Sequence, residues 1–344
     1  MLHPCMTRLS AFAVCLSTVT IATLTGCQGE RVQSALHPAG PAADSIARLW
    51  WVLLAVLGGY AIGVFVLTLV AIFRQPAEAA SPGGEGRRFI LIGGVILPAI
   101  ILVPMLVYSL SATAALRMRE GGLTIRVVGH RWWWEVEYPD HRIVIANELF
   151  IPVGEPVRLE VTSADVIHSF WVPQLQGKMD MMPGQTNAFW IQADKPGRYR
   201  GQCAEYCGVQ HAHMAFIVEA LPAEQFVDWI SRQRSSLELP LKGDLQLGKE
   251  MFFKHGCAVC HAIEGTAARG KVGPDLTRFA SRQTLAAGTI PHTPENLLAW
   301  LADPQSIKPG ANMPPTHATF EELKSIARYL QTLGEEGMSR DATE

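Results

Sequence analysis

Residues 201–214 read GQCAEYCGVQHAHM. Cys203 and Cys207 stand four positions apart, His211 follows four later, and Met214 three after that. Two thiolates, an imidazole and a thioether on one short loop form a soft donor set, which favours copper over hard cations. His168, in ADVIHSFWVP, lies 35 positions ahead of Cys203 and offers a further imidazole from an earlier strand. A plain Cys203–Cys207 disulfide is the competing reading, and it leaves the spacing of His211 and Met214 unexplained. A second cluster, Cys257-Ala258-Val259-Cys260-His261, is the c-type haem attachment pattern: two thioether links and a histidine for the iron. A zinc site would want another Cys/His pair, and a redox Cys-x-x-Cys has no need of the adjacent histidine.

The rest of the chain must place these clusters. Its 344 residues suit two or three domains. A net charge of −2 gives no reason to expect nucleic acid as a partner. Hydrophobic residues make up 49% and charged ones only 17%, a balance that points to membrane segments. None of the seven cysteines is left over for a structural disulfide, because Cys5, Cys15 and Cys27 fall in the leader.

That leader, residues 1–27, has a basic start at Arg8, an apolar run from Ala11 to Leu24 and then LTGC, the shape of a secretory signal. LTGC resembles the bacterial lipoprotein cleavage box, which makes Cys27 the expected lipidated residue; an ordinary signal peptide or an uncleaved anchor is the alternative. A polar tether, 28–45, follows. Two uncharged runs, 49–73 and 89–116, are each long enough to cross a bilayer, so 46–116 is expected to be a transmembrane hairpin. Pro98 and Pro104 in the second run are tolerable in a membrane helix. Arg74, Arg87 and Arg88 in the connecting loop and Arg48, Arg117 and Arg119 at the other ends leave the charge rule weak. The exported leader orients the hairpin instead, with everything beyond about residue 117 periplasmic.

From 117 to 232 the pattern turns to short alternating runs, LTIRVVGHRWWWEVEY, HRIVIANELFIPV, PVRLEVTSADVIHSFWV, NAFWIQA, GRYRGQ and AFIVEAL, separated by turn residues. Six or so strands predict an all-β Greek-key sandwich with the ligand loop at one end, the cupredoxin plan. Of the three consecutive tryptophans, Trp132 and Trp134 should share a face and Trp133 oppose them.

Together the hairpin, GHRWWWEVEY, ILPAII, His168 and the 203–214 loop closely resemble subunit II of the haem–copper cytochrome c oxidases. The resemblance implies two coppers bridged by Cys203 and Cys207, capped by His168 and His211, with Met214 and the carbonyl of Glu205 as weak axial ligands. It implies that the Glu205 carboxylate serves a magnesium ion at the boundary with subunit I, a hard cation that carboxylates suit. It also makes Trp132 the residue where electrons arrive and Asp165 a cytochrome-docking position. One departure stands out: the glutamate common at the start of the family's second span falls near Leu91 here, the nearest carboxylate being Glu85, so no proton-uptake residue is assigned. His213, if on a strand, would point away from Met214 and be solvated or support a ligand from behind; His130 has no assigned role.

After a linker, 233–243, residues 244–336 look like a small all-α class I cytochrome c, and 337–344 form a tail. LQLGKEMFFKHG is an amphipathic helix leading into the motif. Thr293-Pro294-Glu295 starts another, and Thr319-Phe320-Glu321-Glu322 is a capping box for a final helix closed by Gly334. The resemblance asks for a methionine about 50 residues beyond the motif, and Met313 in NMPP fits, with His292 and His317 as rivals for the iron. It also packs Pro274 near His261.

The expectation is therefore a caa-type oxidase subunit II, two-pass in the bacterial plasma membrane, with one covalent haem c and dinuclear copper. It would pass electrons from a periplasmic cytochrome c or a quinol–cytochrome c reductase to haem a of subunit I, with subunit III as a further partner. Oxygen reduction and proton pumping belong to subunit I, and this chain has no catalytic acid, base or nucleophile. Three rivals differ in kind: a quinol oxidase subunit lacks the copper ligands, a nitrous-oxide reductase needs a larger catalytic domain, and a lipid-anchored shuttle or copper-handling protein sits outside any oxidase.

Overall fold

The computed structural model describes residues 32–73, 84–116, 122–234 and 242–334. The leader with Cys27, Arg74 of the hairpin loop, Arg117 and Arg119, the middle of the linker and the tail 337–344 lie outside the described residues. The described residues from Gln33 onward form one compact unit.

Helix α1 (Pro41–Phe73) is longer than the uncharged run, because its first turns carry Asp44 and Arg48 as an i,i+4 ion pair ahead of the apolar stretch. The second run folds as α2 (Gly84–Leu91), a π-helical turn (Ile92–Ile96) and α3 (Leu97–Ala115). The π turn falls just before Pro98, which has no N–H to continue the α ladder, and the widened turn absorbs that loss. No residue in the most apolar window of either helix is buried in the protein. Such fully apolar, uncovered helices are not core helices of a soluble fold; they suit lipid or other membrane subunits.

Ten strands form two five-stranded sheets, more than the six runs suggest, since several runs contain a turn. One sheet has the order β3 (Ile143–Ala146), β2 (Trp133–Tyr138), β1 (Thr124–His130), β5 (Val157–Ser163), β8 (Asn187–Ile191). The other has the order β4 (Glu148–Pro152), β10 (Ala215–Leu221), β9 (Gly197–Cys203), β6 (His168–Trp171), β7 (Met179–Met181). Alternation along β5, with Val157, Leu159 and Val161 all buried, drives each sheet to cover the other's inner face. Trp134, Phe170, Phe216 and Leu149 lie in the core between them. Helix α4 (Ala223–Arg234) closes the sandwich by stacking Trp229 on Phe150 at 4.5 Å.

The last part is helical. Helix α5 (Asp244–Lys254) crosses α9 (Phe320–Gln331), with Phe252 edge-on to Tyr329 at 6.1 Å. The capping box is formed: Glu322 N donates to the Thr319 hydroxyl, and Thr319 N donates to the Glu322 carboxylate at 2.8 Å. Between them lie α6 (Cys257–Cys260), the two-residue strands β11 (Thr284–Leu285) and β12 (Ile290–Pro291), α7 (Pro294–Ala302) and α8 (Pro304–Ile307).

Candidate metal centre and haem cavity

Strand pairing brings the soft donors together. β6 pairs with β9 so that Phe170 faces Cys203, which sets His168 beside the end of β9 where the loop begins. The loop returns to β10, and Cys203 N donates to Met214 O at 2.9 Å, closing its base. At the centre the two sulfurs are 3.7 Å apart, too far for a disulfide bond, and both cysteines are free. His168 Nδ1 lies 3.8 Å from Cys203 Sγ, His211 Nδ1 3.7 Å from Cys207 Sγ, and Met214 Sδ 3.8 Å from Cys207 Sγ. The carbonyl of Glu205 is 3.1 Å from Cys203 Sγ.

These spacings fit a metal. Two thiolates on one tetrahedral ion at about 2.3 Å each sit about 3.8 Å apart, and a nitrogen–sulfur pair slightly closer. Cys203, His168 and Met214 are each 0% exposed, and the donor atoms of His168, Cys203 and Cys207 lie within 4.8 Å of one another. Contact with Cys207, against the cost of burial and with help from His168, lowers the Cys203 thiol to about 3, while the same contact and burial push Cys207 up. Cys203 thus favours the thiolate form that metals bind, while Cys207 favours its thiol.

Asp165 has a role that sequence reasoning missed. Its Oδ1 accepts from His168 Nε2 at 2.8 Å, which turns Nδ1 toward the sulfurs. Burial raises the Asp165 pKa, but hydrogen bonds from His168 and from the Val166 and Arg131 amides outweigh it and hold the carboxyl below its usual range. No periodic signal marks such a partner, although a carboxylate three residues before a ligand histidine was a visible hint. Gly129 explains the tightness of this corner: a Cβ there would lie 2.8 Å from the His168 ring.

His213 stands in a 3₁₀ turn (His211–His213), not on a strand as expected, and its Nδ1 meets Gln210 Oε1 at 2.9 Å. His130 stacks flat on Trp133 at 4.2 Å. Trp132 precedes β2 in a turn, where its Nε1 donates to Cys207 O at 3.0 Å. It packs on the same core as Trp134, whereas Trp133 clusters with Ala146 and Ala287. Glu205 Oε2 lies 3.3 Å from Lys178 Nζ. Glu85 lies on α2, and Leu91, at its end, is exposed.

Cys257, Cys260, His261 and Met313 line one cavity of about 330 Å³, walled also by Phe252, Leu297 and Leu330. His261 Nδ1 donates to Pro274 O at 2.8 Å, which leaves Nε2 as the nitrogen available to an iron. Burial lowers the His261 pKa and keeps the ring neutral, the form that binds iron. A Cβ on Gly273 would meet that ring at 2.5 Å. Arg282, also on the wall, offers a guanidinium for a haem propionate. The mostly apolar lining and its cysteine, histidine and methionine donors fit a haem. His317 lines the cavity with Met313, while His292 turns away, its Nδ1 donating to Arg282 O at 2.8 Å. Gln305 Nε2 donates to Met313 O at 2.9 Å and fixes that loop.

Arg131, Trp132 and Trp133 of the β domain complete the cavity wall. Further bonds join the two parts: Gln283 N donates to Glu148 Oε1 at 2.7 Å, Ala215 N to Ala287 O at 3.0 Å, and Arg278 Nη2 to Gln233 O at 2.8 Å.

The model of the periplasmic domain of cytochrome c oxidase subunit II matches residues 141–221, and the cytochrome c model matches 245–334. A protein of Alkalihalophilus pseudofirmus named cytochrome c oxidase subunit 2 is 34% identical over 322 residues, 90% of this chain and 93% of its own length. One of the same name from Bacillus subtilis is 32% identical over 331 residues, covering 89% and 92%. The solved periplasmic domain of subunit II of cytochrome oxidase from Bradyrhizobium japonicum is 32% identical, covering 34% of this chain and 97% of that one, with a TM-score of 0.34.

Proposed function

The chain belongs to the cytochrome c oxidase subunit II family, and from that premise we propose that it is the electron-input subunit of a respiratory haem–copper oxidase. Two coppers and a c-type haem, when bound, each exchange single electrons without bond chemistry. Cys203, Cys207, His168 and His211 would hold the coppers, the histidines through Nδ1, with Met214 and the Glu205 carbonyl as weaker donors. Cys257 and Cys260 would anchor the haem, with His261 and Met313 on its iron. The Glu205 carboxylate would exchange Lys178 for magnesium where subunit I docks.

One observation supports a route between the two sites. Trp132 lines the haem cavity and donates its indole N–H to the carbonyl of Cys207, so a single side chain spans both sites. Electrons from a periplasmic cytochrome c or a quinol–cytochrome c reductase would arrive at the haem domain, 244–336. They would pass to the copper domain, 117–232, and leave for haem a of subunit I, with subunit III alongside. The apolar helices anchor the chain in the bacterial plasma membrane, both domains outside and Cys27 lipidated.

A metal and haem count on the purified protein tests this reading. Two coppers, one covalent haem c and co-purifying haem a are expected; a chain that elutes without haem a would be a shuttle instead. Met214→Leu should keep both coppers yet shift their potential and slow transfer to haem a. Unchanged flash-reduction kinetics would remove Met214 from the ligand set.

A further inference from the structure

The stretch from Lys308 to Met313 belongs to the haem domain by sequence, yet its polar groups reach across to the copper domain. Lys308 Nζ donates to Trp132 O at 2.8 Å and to Ala286 O at 3.1 Å. Asn312 Nδ2 donates to Arg131 O at 2.9 Å. Pro309 O accepts from the side chain of Gln210, a buried residue on the copper loop between Cys207 and His211. The same stretch ends at Met313 on the cavity wall.

Lys308 is the centre of this arrangement. It is 3% exposed, and a lysine is seldom buried to that extent without partners. Its two acceptors belong to different bodies: Trp132 O to the turn before β2, Ala286 O to the loop after β11. The Lys308 side chain therefore ties three segments together at one point. The neighbouring Ala287 O accepts from Ala215 N, next to Met214, so the Ala286 loop is itself held against the copper loop. Transfer of an electron between two buried centres requires no bond making, only a fixed separation and orientation, which a desolvated cross-domain contact can supply.

We propose that Lys308 is a positioning residue for electron transfer between the two domains, holding the Met313 loop and the Trp132 turn in register. The inference rests on the electron-input reading of the same site. The two fail separately, because wild-type protein without two coppers and a haem sinks that reading, whereas Lys308 is judged in loaded protein.

The experiment uses the whole purified oxidase with Lys308→Met. Copper and haem content and the haem c potential are expected to match wild type. Haem-to-copper transfer after flash reduction should fall by about tenfold or more, as small misplacements of reacting groups do. Amide hydrogen exchange at residues 131–132 and 286–287 should rise. Where the methionine variant does not accumulate, Lys308→Gln, which keeps a donor, is read by the same assays. A rate within about twofold of wild type in a loaded variant, or slowed transfer with unchanged exchange at 131–132, overturns the proposal. Loss of copper or haem from the variant also overturns it, because Lys308 would then act on assembly and not on position.

Discussion

Around Cys203 the donor atoms stand where a metal would draw them, whereas around His261 the chain encloses a hollow of about 330 Å³. The difference follows from what each must hold. An ion needs a few atoms at short range, and paired strands β6 and β9 with one loop can pack those atoms against each other without it. A haem is a large flat body, so the walls that receive it must stand apart from one another. The candidate copper site thus rests on the β core, whereas the haem site draws its walls from several helices and loops.

The sharpest way to break the comparison is Cys203→Ser. It should remove the dinuclear copper and stop transfer to subunit I while leaving haem attachment intact, as metal analysis and haem staining would show. Loss of both groups together would mean that the sites do not form independently.

Phe252→Ala comes next. Phe252 is 1% exposed, lines the cavity and meets Tyr329, so the change should cost about 3–5 kcal/mol. Denaturation followed at the haem band should shift, and that followed by copper absorbance should move less. Equal shifts would show that the two domains unfold as one.

Asp165→Asn should be milder, lowering copper affinity by about 10- to 100-fold with the four closest ligands in place. Competition with a chelator measures it; an unchanged affinity would restrict Asp165 to surface docking.

The smallest effect concerns pH. Lys254, 2.7 Å away, and then the Thr319 amide hold Glu322 at about 2, below the ordinary carboxylate value of 4.5. A depressed carboxylate contributes stability that is present above the unfolded value and lost as pH falls through the folded one. Acid should therefore weaken the last helix between about 4.5 and about 2. Glu322→Gln should flatten that part of an acid titration followed by helical circular dichroism, and an identical acid limb would remove the cap from the account.

Local patterns were legible because the chemistry is local. The 203–214 loop, the attachment motif and the capping box each lie within one short stretch, and the uncharged runs needed only length. What was misjudged depended on neighbours. His213 looked like a strand residue until the loop closed with a 3₁₀ turn, and six alternating runs became ten strands because internal turns do not interrupt alternation visibly.

By itself, then, the sequence determined which donors exist and in what order: two cysteines, a histidine and a methionine at fixed offsets, and a haem motif beyond them. Only the tertiary structure decided that Asp165 aims His168, that Trp132 touches both sites, and that Lys308 is buried between two carbonyls of different domains. The reason is physical. Spacing along a chain tells which donors one loop can bring together, but not where a neighbouring side chain such as Asp165 points. Nor does it tell that Trp132 meets Cys207 75 positions on and Lys308 meets Trp132 176 positions back; those depend on which surfaces exclude water together.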